Sequence, residues 1–481
     1  MNVSYKLFSV PGGLILFLSL FFSLATQAQV GIGNTNPDAS SVLDITSTSK
    51  GLLAPRMTTL QRLAITTPAN SLLVYDTDLK SFYYYDLPST AWVSLNSSQE
   101  KRNNYVLVKS QSDFPAPVGG VITLDTHTYY EINGTINLTA SIDLNGAYIS
   151  GLDAWEDVLS YNGTVFVGNQ GGSIRNIAIA GGGTAFNITG GTTFTVQNTI
   201  VYQMASVGTI ANVGLYFSNI MLFYLNTNGI TYNNIGSLLL SNQSWFEGNG
   251  GIYETFTGTF DQIQKVGGLS TVTAGATGLD VSSNPSVGEG ILLSAVFSGD
   301  GTYINKYTSG SYPGYNFTNA WAVNCPGIPR ESDDVATGDI NLNAAVGSGA
   351  LTTFSGTGTG SRKKVSGTTT SNSLFRFIKD GDNKIIYDGS KKRYFQISGS
   401  VSYQATDDIT AILYIAKNGS VVTETKVYGR GATGFFTNAG ILALPIIGTI
   451  ELAKGDFIEI WAERYSGSGN MQTLSLNLTA R

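Results

Sequence analysis

Three carboxylates crowd one tryptophan in this chain of 481 residues: Asp153, Glu156 and Asp157 flank Trp155. Paired carboxylates beside an aromatic ring are the equipment of glycan hydrolysis, one serving as acid and the other as base or nucleophile. An indole face is also a stacking platform for a sugar. The same residues equally suit a solvated acidic loop with no chemistry. A polysaccharide lyase would further want calcium ligands and a neighbouring Lys or Arg base, and no such set can be placed. Asp153, Glu156 and Asp157 are therefore catalytic candidates only under an enzymatic reading, while Trp155 is the glycan-stacking candidate.

Other chemistries are poorly served. His127 is the sole histidine and Cys325 the sole cysteine, so no zinc cage or Ser-His-Asp set assembles, and no intrachain disulfide can form. Both are read as structural. Asp333-Asp334 could chelate calcium, but a solvated connector is the preferred reading. Glycine clusters such as Gly181-Gly182-Gly183 are turn chemistry, because no helix follows to cradle a phosphate. No metal and no cofactor is expected. With 27 basic and 33 acidic residues the net charge is −6, which excludes a nucleic-acid footprint.

The elements that must position Trp155 follow from a repeat. Ile174-Arg175-Asn176-Ile177, Val196-Gln197-Asn198-Thr199 and Phe217-Ser218-Asn219-Ile220 recur with Asn-to-Asn steps of 22 and 21, and a looser copy follows at Tyr232-Asn233-Asn234-Ile235. Such a period belongs to solenoids whose coils stack strand on strand, aliphatics inward and asparagine amides in a ladder. Charged residues make up only 12%, about half the usual share, while Gly reaches 57, Tyr 25 and Phe 23. That composition favours strands and turns, and very little helix is expected.

Residues 1–28 read as a secretory signal: Lys6, an apolar core between Leu14 and Leu24, and small residues at Ala25 to Ala28. The core is shorter than a membrane span requires, so no span is expected after cleavage. A β module at 29–100 opens with Gly31-Ile32-Gly33-Asn34 and closes on Tyr75-Asp76, the aromatic run Phe82 to Tyr85, and Ala91-Trp92-Val93, with a short helix near 58–63. It resembles the leader module of secreted Bacteroidetes proteins and of phage tail-fibre proteins. The resemblance implies a place where chains associate, and no chemistry.

The 105–329 stretch resembles the right-handed parallel β-helix of phage tailspikes and secreted polysaccharide lyases, on the strength of its rungs between Ser173 and Trp245. Beyond Gly250 the copies are irregular, so longer-looped rungs or a small separate sheet are both open. A Gly, Ser and Thr rich tract at 330–372 reads as a linker, either flexible or extended. In 373–481, Phe395, Ile397, Val401 and Tyr403 alternate with Gln396, Ser398, Ser400 and Ser402, and Asn418-Gly419 predicts a tight hairpin. Tyr414-Ile415-Ala416-Lys417, Gly448-Thr449-Ile450-Glu451-Leu452 and Gly455-Asp456-Phe457 are similar to the jelly-roll heads of phage fibres, related in shape to C1q and tumour necrosis factor domains. That resemblance implies trimers.

The expected fold class is thus all-β: signal peptide, small β module, right-handed parallel β-helix, linker and jelly-roll sandwich. The expected function is a non-enzymatic extracellular or virion-associated fibre or adhesin, a homotrimer that binds a cell-surface glycan or protein. It would be secreted, at the cell surface or on a virion. The alternative is a secreted polysaccharide lyase or glycoside hydrolase with an accessory jelly-roll domain.

Overall fold

The computed structural model describes residues 29–95, 103–431 and 440–481. The signal expected at 1–28 and the basic pair Lys101-Arg102 lie outside the described residues. Among the described residues no helix is long and apolar enough to cross a membrane. The chain divides into two compact units, Met1–Lys101 and Arg102–Arg481.

The first unit holds two small sheets. Val30–Ile32 pairs in parallel with Leu43–Ile45, and a four-stranded sheet runs Arg56–Met57, Leu73–Asp76, Ser81–Asp86, Ala91–Ser94. The expected helix is Thr59–Leu63, closed by a capping box in which Thr58 and Gln61 satisfy each other's backbone amides. It is pinned by Arg62, whose Nε lies 2.9 Å from Asp76 Oδ2 and whose guanidinium sits 4.1 Å from the Tyr83 ring centre. Burial opposes a charge on Asp76. Donors from Leu79, Arg62, Thr59 and Asp78 prevail and hold its carboxyl down to about 2. Aliphatic burial is meagre by contrast: Val42, Leu52, Leu53, Leu60 and Leu63 are all exposed.

In the second unit, strands from Tyr105–Val108 to Trp321–Asn324 belong to one 21-stranded system whose ladders are parallel. Each coil returns the chain beside its predecessor, so inward side chains stack in columns along three walls. One column reads Ile188, Ile210, Tyr232, Phe256. A second reads Ile174, Val196, Ser218, Leu240, and a third Val201, Phe223, Trp245. All are buried. Burying each aliphatic side chain contributes roughly 1.5–3 kcal/mol, and stacked rings such as Phe223 and Trp245, centroids 3.9 Å apart, fill the lumen. The parallel β-helix is therefore present, and it continues beyond Gly250 through Ile252–Val272, Ser286–Leu293 and Trp321–Asn324 instead of giving way to a separate sheet.

The corners need left-handed backbone. Asn176, Asn198 and Asn242 take φ of 53°, 46° and 51°, and asparagine tolerates that region because its short amide bonds locally. The Asn198 amide donates to Asn176 Oδ1 at 2.9 Å, the expected ladder. One rung departs from the repeat as read in the sequence. Gln197 pairs with Asn219 and Thr199 with Met221, so the residue at the corner is Ile220, with φ 56°. The fourth copy belongs to another corner, where Asn234 stacks on Asn212 at 3.5 Å. A β-branched residue held left-handed is strained by about 1–3 kcal/mol. Ile220→Asn is expected to stabilise the shaft by about 1 kcal/mol, read as a raised denaturant midpoint. A midpoint that falls would contradict this reading.

Two packed antiparallel sheets, of five and seven strands, form the C-terminal head, and Phe395, Ile397, Val401 and Tyr403 face their shared core as predicted. Asn418 and Gly419 form the hairpin with φ of 53° and 74°. The tract read as a linker is structured. Gly338–Asn343 pairs along Met471–Ala480, and Lys363–Lys364 pairs with Phe457–Gly467, so the head begins near 338 and not at 373. Small polar residues suit exposed edge strands as well as they suit coils, which is why composition misled there.

The shaft docks directly on the head. Asp333, expected to be solvated, is buried: its Oδ2 accepts from Ser390 Oγ and the Lys391 amide, each at 2.8 Å, and Arg376 Nε lies 3.4 Å from its Oδ1. Tyr315 stacks on Phe375 with centroids 4.0 Å apart. Asp334 stays exposed and pairs with Arg330 at 3.0 Å.

Candidate functional site

The loop at 151–157 caps an outward face of the shaft. Its Ala154 packs with Val158, Ala178, Ala180 and Ile200 in an apolar cluster outside the main core, with Tyr202, Leu222 and Tyr224 at its edge. Trp155 covers this cluster and is 65% exposed. Its ring centre lies 6.0 Å from that of Tyr224, which in turn stacks on Phe246 at 4.4 Å. A cleft of about 300 Å³ opens beside the indole, lined by Asp153, Trp155, Asn198, Thr199, Ile200 and Leu222 among others. An indole ring, a threonine, a carboxamide and a carboxylate around a shallow cleft suit a sugar, whose apolar face stacks while its hydroxyls bond outward.

The three carboxylates have unequal parts. Asp157 is buried, its Oδ1 accepting from the Gly134 amide at 2.7 Å and its Oδ2 from the Leu152 and Asp153 amides at 2.7 and 3.0 Å. These bonds close the loop and tie it to the preceding rung, leaving Asp157 no room for proton transfer to a sugar. Asp153 Oδ1 accepts from the Trp155 amide at 2.8 Å, which fixes the turn that presents the indole. Only Asp153 and Glu156 remain exposed. Replacing Asp157 by Asn puts an NH2 group against backbone donors. Asp157→Asn should destabilise the loop by about 2 kcal/mol, read as a lowered midpoint in the unfolding curve. A loss of any activity in that variant would therefore report the loop and not an acid. An unchanged unfolding curve would contradict the assignment.

Sequence reading passed over a second surface. Tyr105, Tyr129 and Tyr148 are one register column, with Ser173, Thr195 and Phe217 continuing it. The Tyr105 and Tyr129 rings stack at 5.8 Å. A groove of about 440 Å³ beside Tyr148 is lined by Thr126, His127, Asn145, Gln170, Thr192 and Thr193 among others. The tyrosines were invisible as a set because the early rungs differ in length. His127 sits here with φ 59°, and its carbonyl accepts from Asn104. Cys325 is buried, and burial pushes its thiol up. Among the described residues no group of three or more His, Cys, Asp or Glu could hold a metal ion.

Residues 31–109 match the family model described as the phage tail like trimerisation region. No curated protein matches the chain. Among solved structures, the chain is similar to the tailspike protein of Acinetobacter phage vB_ApiP_P1 at 10% identity, over 88% of this chain and 100% of that one, with a TM-score of 0.29. It is similar to the enzymatically active domain of tailspike protein 4 from bacteriophage CBA120 at 9% identity, over 88% of each chain, TM-score 0.22. The match to murine APRIL covers 30% of this chain and 99% of that one at 10% identity, TM-score 0.19. The architecture rests on the strand registers above and not on these likenesses.

Proposed function

We propose that this chain is the subunit of a trimeric, virion-associated or cell-surface fibre that docks on cell-surface polysaccharide without cutting it. The observation that carries the reading is the first unit: residues matching a trimerisation region leave Leu52, Leu53, Leu60 and Leu63 uncovered in a single chain. Apolar patches of this kind on a small module are docking surfaces, and two further copies of the same module are the occupants. In the second unit the β-helix supplies a stiff shaft, and the sandwich supplies a head. The Trp155 face is the glycan platform. Three copies would bind weakly one by one and firmly together.

Immobilised bacterial polysaccharides give the test. Trp155→Ala should weaken binding about tenfold for each site, the worth of one ring–sugar stack, with the unfolding midpoint held. Undiminished binding by this variant on every polysaccharide the parent chain retains would remove Trp155 from the site. Release of reducing ends or unsaturated sugars by the parent chain would favour the enzymatic alternative.

A further inference from the structure

The lumen of the shaft is polar at one level. The second column continues Ser218, Leu240, Lys265, Leu292, Val323, so a lysine only 1% exposed stands between two leucines. Glu254 reaches it from another wall, where its ladder neighbours are Ile230 and Leu279, and Gln243 reaches it from the third, next to Met221. Lys265 Nζ lies 2.9 Å from Glu254 Oε2, 3.2 Å from Oε1, and 3.4 Å from Gln243 Oε1. Gln243 Nε2 donates to Ser218 Oγ at 2.9 Å and to the Tyr232 hydroxyl at 3.3 Å. The surroundings are dry. Burial pushes the Tyr216 and Tyr232 phenols well above their ordinary value.

An ion pair withdrawn wholly from water carries a desolvation penalty on each ion. Moving one proton from the ammonium to the carboxylate abolishes both charges. It leaves a neutral amine in contact with a carboxamide and a carboxylic acid beside them. Those are the nucleophile, electrophile and acid–base group of an acyl transfer, with Lys265 Nζ 3.4 Å from the oxygen of the carboxamide it would attack.

We propose that Lys265 and Gln243 become joined by an isopeptide bond that forms autocatalytically inside the shaft. Lys265 Nζ attacks Gln243 Cδ, the new Nζ–Cδ bond replaces the Cδ–Nε2 bond, and Nε2 departs as ammonia. Glu254 carries one proton from Nζ to Nε2, so atoms and charge balance without an oxidant or co-reactant. Ser218 and Tyr232 position the carboxamide by holding Nε2 until it leaves. The product staples two walls of the coil across positions 22 apart in sequence. It would restrict the unfolded chain as other covalent cross-links do, and stiffen a shaft that has no disulfide. This proposal is independent of the glycan reading.

Mass spectrometry of the full chain tests it without any variant. The intact protein should weigh one ammonia less than its sequence encodes. Trypsin offers a second readout, because no Lys or Arg lies between Arg175 and Lys265 and the next is Lys306. A cross-linked Lys265 resists cleavage, so 176–306 should appear as one piece, with fragment ions tying Gln243 to Lys265. Glu254→Gln should restore the encoded mass and the cut at Lys265. Release of 176–265 at its encoded mass from the folded parent chain overturns the proposal. So does an ammonia loss that maps to the N-terminus or to an asparagine.

Discussion

A chain carrying Leu52→Asp and Leu53→Asp is expected to run as a single subunit and to lose 10²–10⁴-fold in apparent affinity for immobilised polysaccharide, about the worth of linked binding. The two leucines are 67% and 70% exposed, so they contribute little to the folding of the module that bears them. In the proposed trimer their uncovered area is covered by another copy. Placing carboxylates there forces charge into an apolar contact, where an unpaired ion is expensive. Circular dichroism should be unchanged, which separates loss of assembly from loss of fold. A variant that stays trimeric would place the subunit contacts elsewhere.

The other large effect concerns the junction of shaft and head. Arg376 is 1% exposed, its Nη1 donates to Asn319 Oδ1 at 3.1 Å, and its Nε faces the buried Asp333. Arg376→Met removes the cation and leaves the Asp333 carboxylate with the Ser390 hydroxyl and Lys391 amide, while the Arg393 guanidinium stays on its backbone carbonyl. Breaking a buried pair from one side costs about 3–5 kcal/mol. In denaturant, the parent should show one shared transition and the variant should show the head and shaft melting separately. Arg376→Lys keeps the charge but not the planar fork, and should fall between the two. A single transition at the parental midpoint in Arg376→Met would mean that the junction does not couple the two parts.

Much of the architecture was legible in the chain because it is written in periodicity. Ile174 and Val196 stack at one position of successive coils, and the alternation from Phe395 to Tyr403 is that of a half-buried strand. The all-β expectation is borne out on that basis. The slip at Asn219 arose because a motif was aligned by residue type, whereas the coil aligns backbone, and Ile220 occupies the left-handed corner despite its side chain. Head strands at 338–343 were missed since Gly, Asp, Asn and Ile in alternation resemble coil when the partner, 475–480, lies far along the chain.

The site was half visible. Trp155 announced itself by type, but the part played by Asp157 depends on the Gly134 amide, one rung earlier, and no local pattern encodes that contact. The convergence of Gln243, Glu254 and Lys265 is hidden for the same reason. It depends on rung lengths, including the register shift between Asn233 and Ile235, which decide which wall each residue occupies.

The central claim is that three chains unite into one fibre. Light scattering on the protein as it elutes from a sizing column tests this most directly. The account predicts a particle with three times the mass of the chain, which is 51.0 kDa for the full sequence. A particle with the mass of one chain, at concentrations where polysaccharide is still bound, would contradict it.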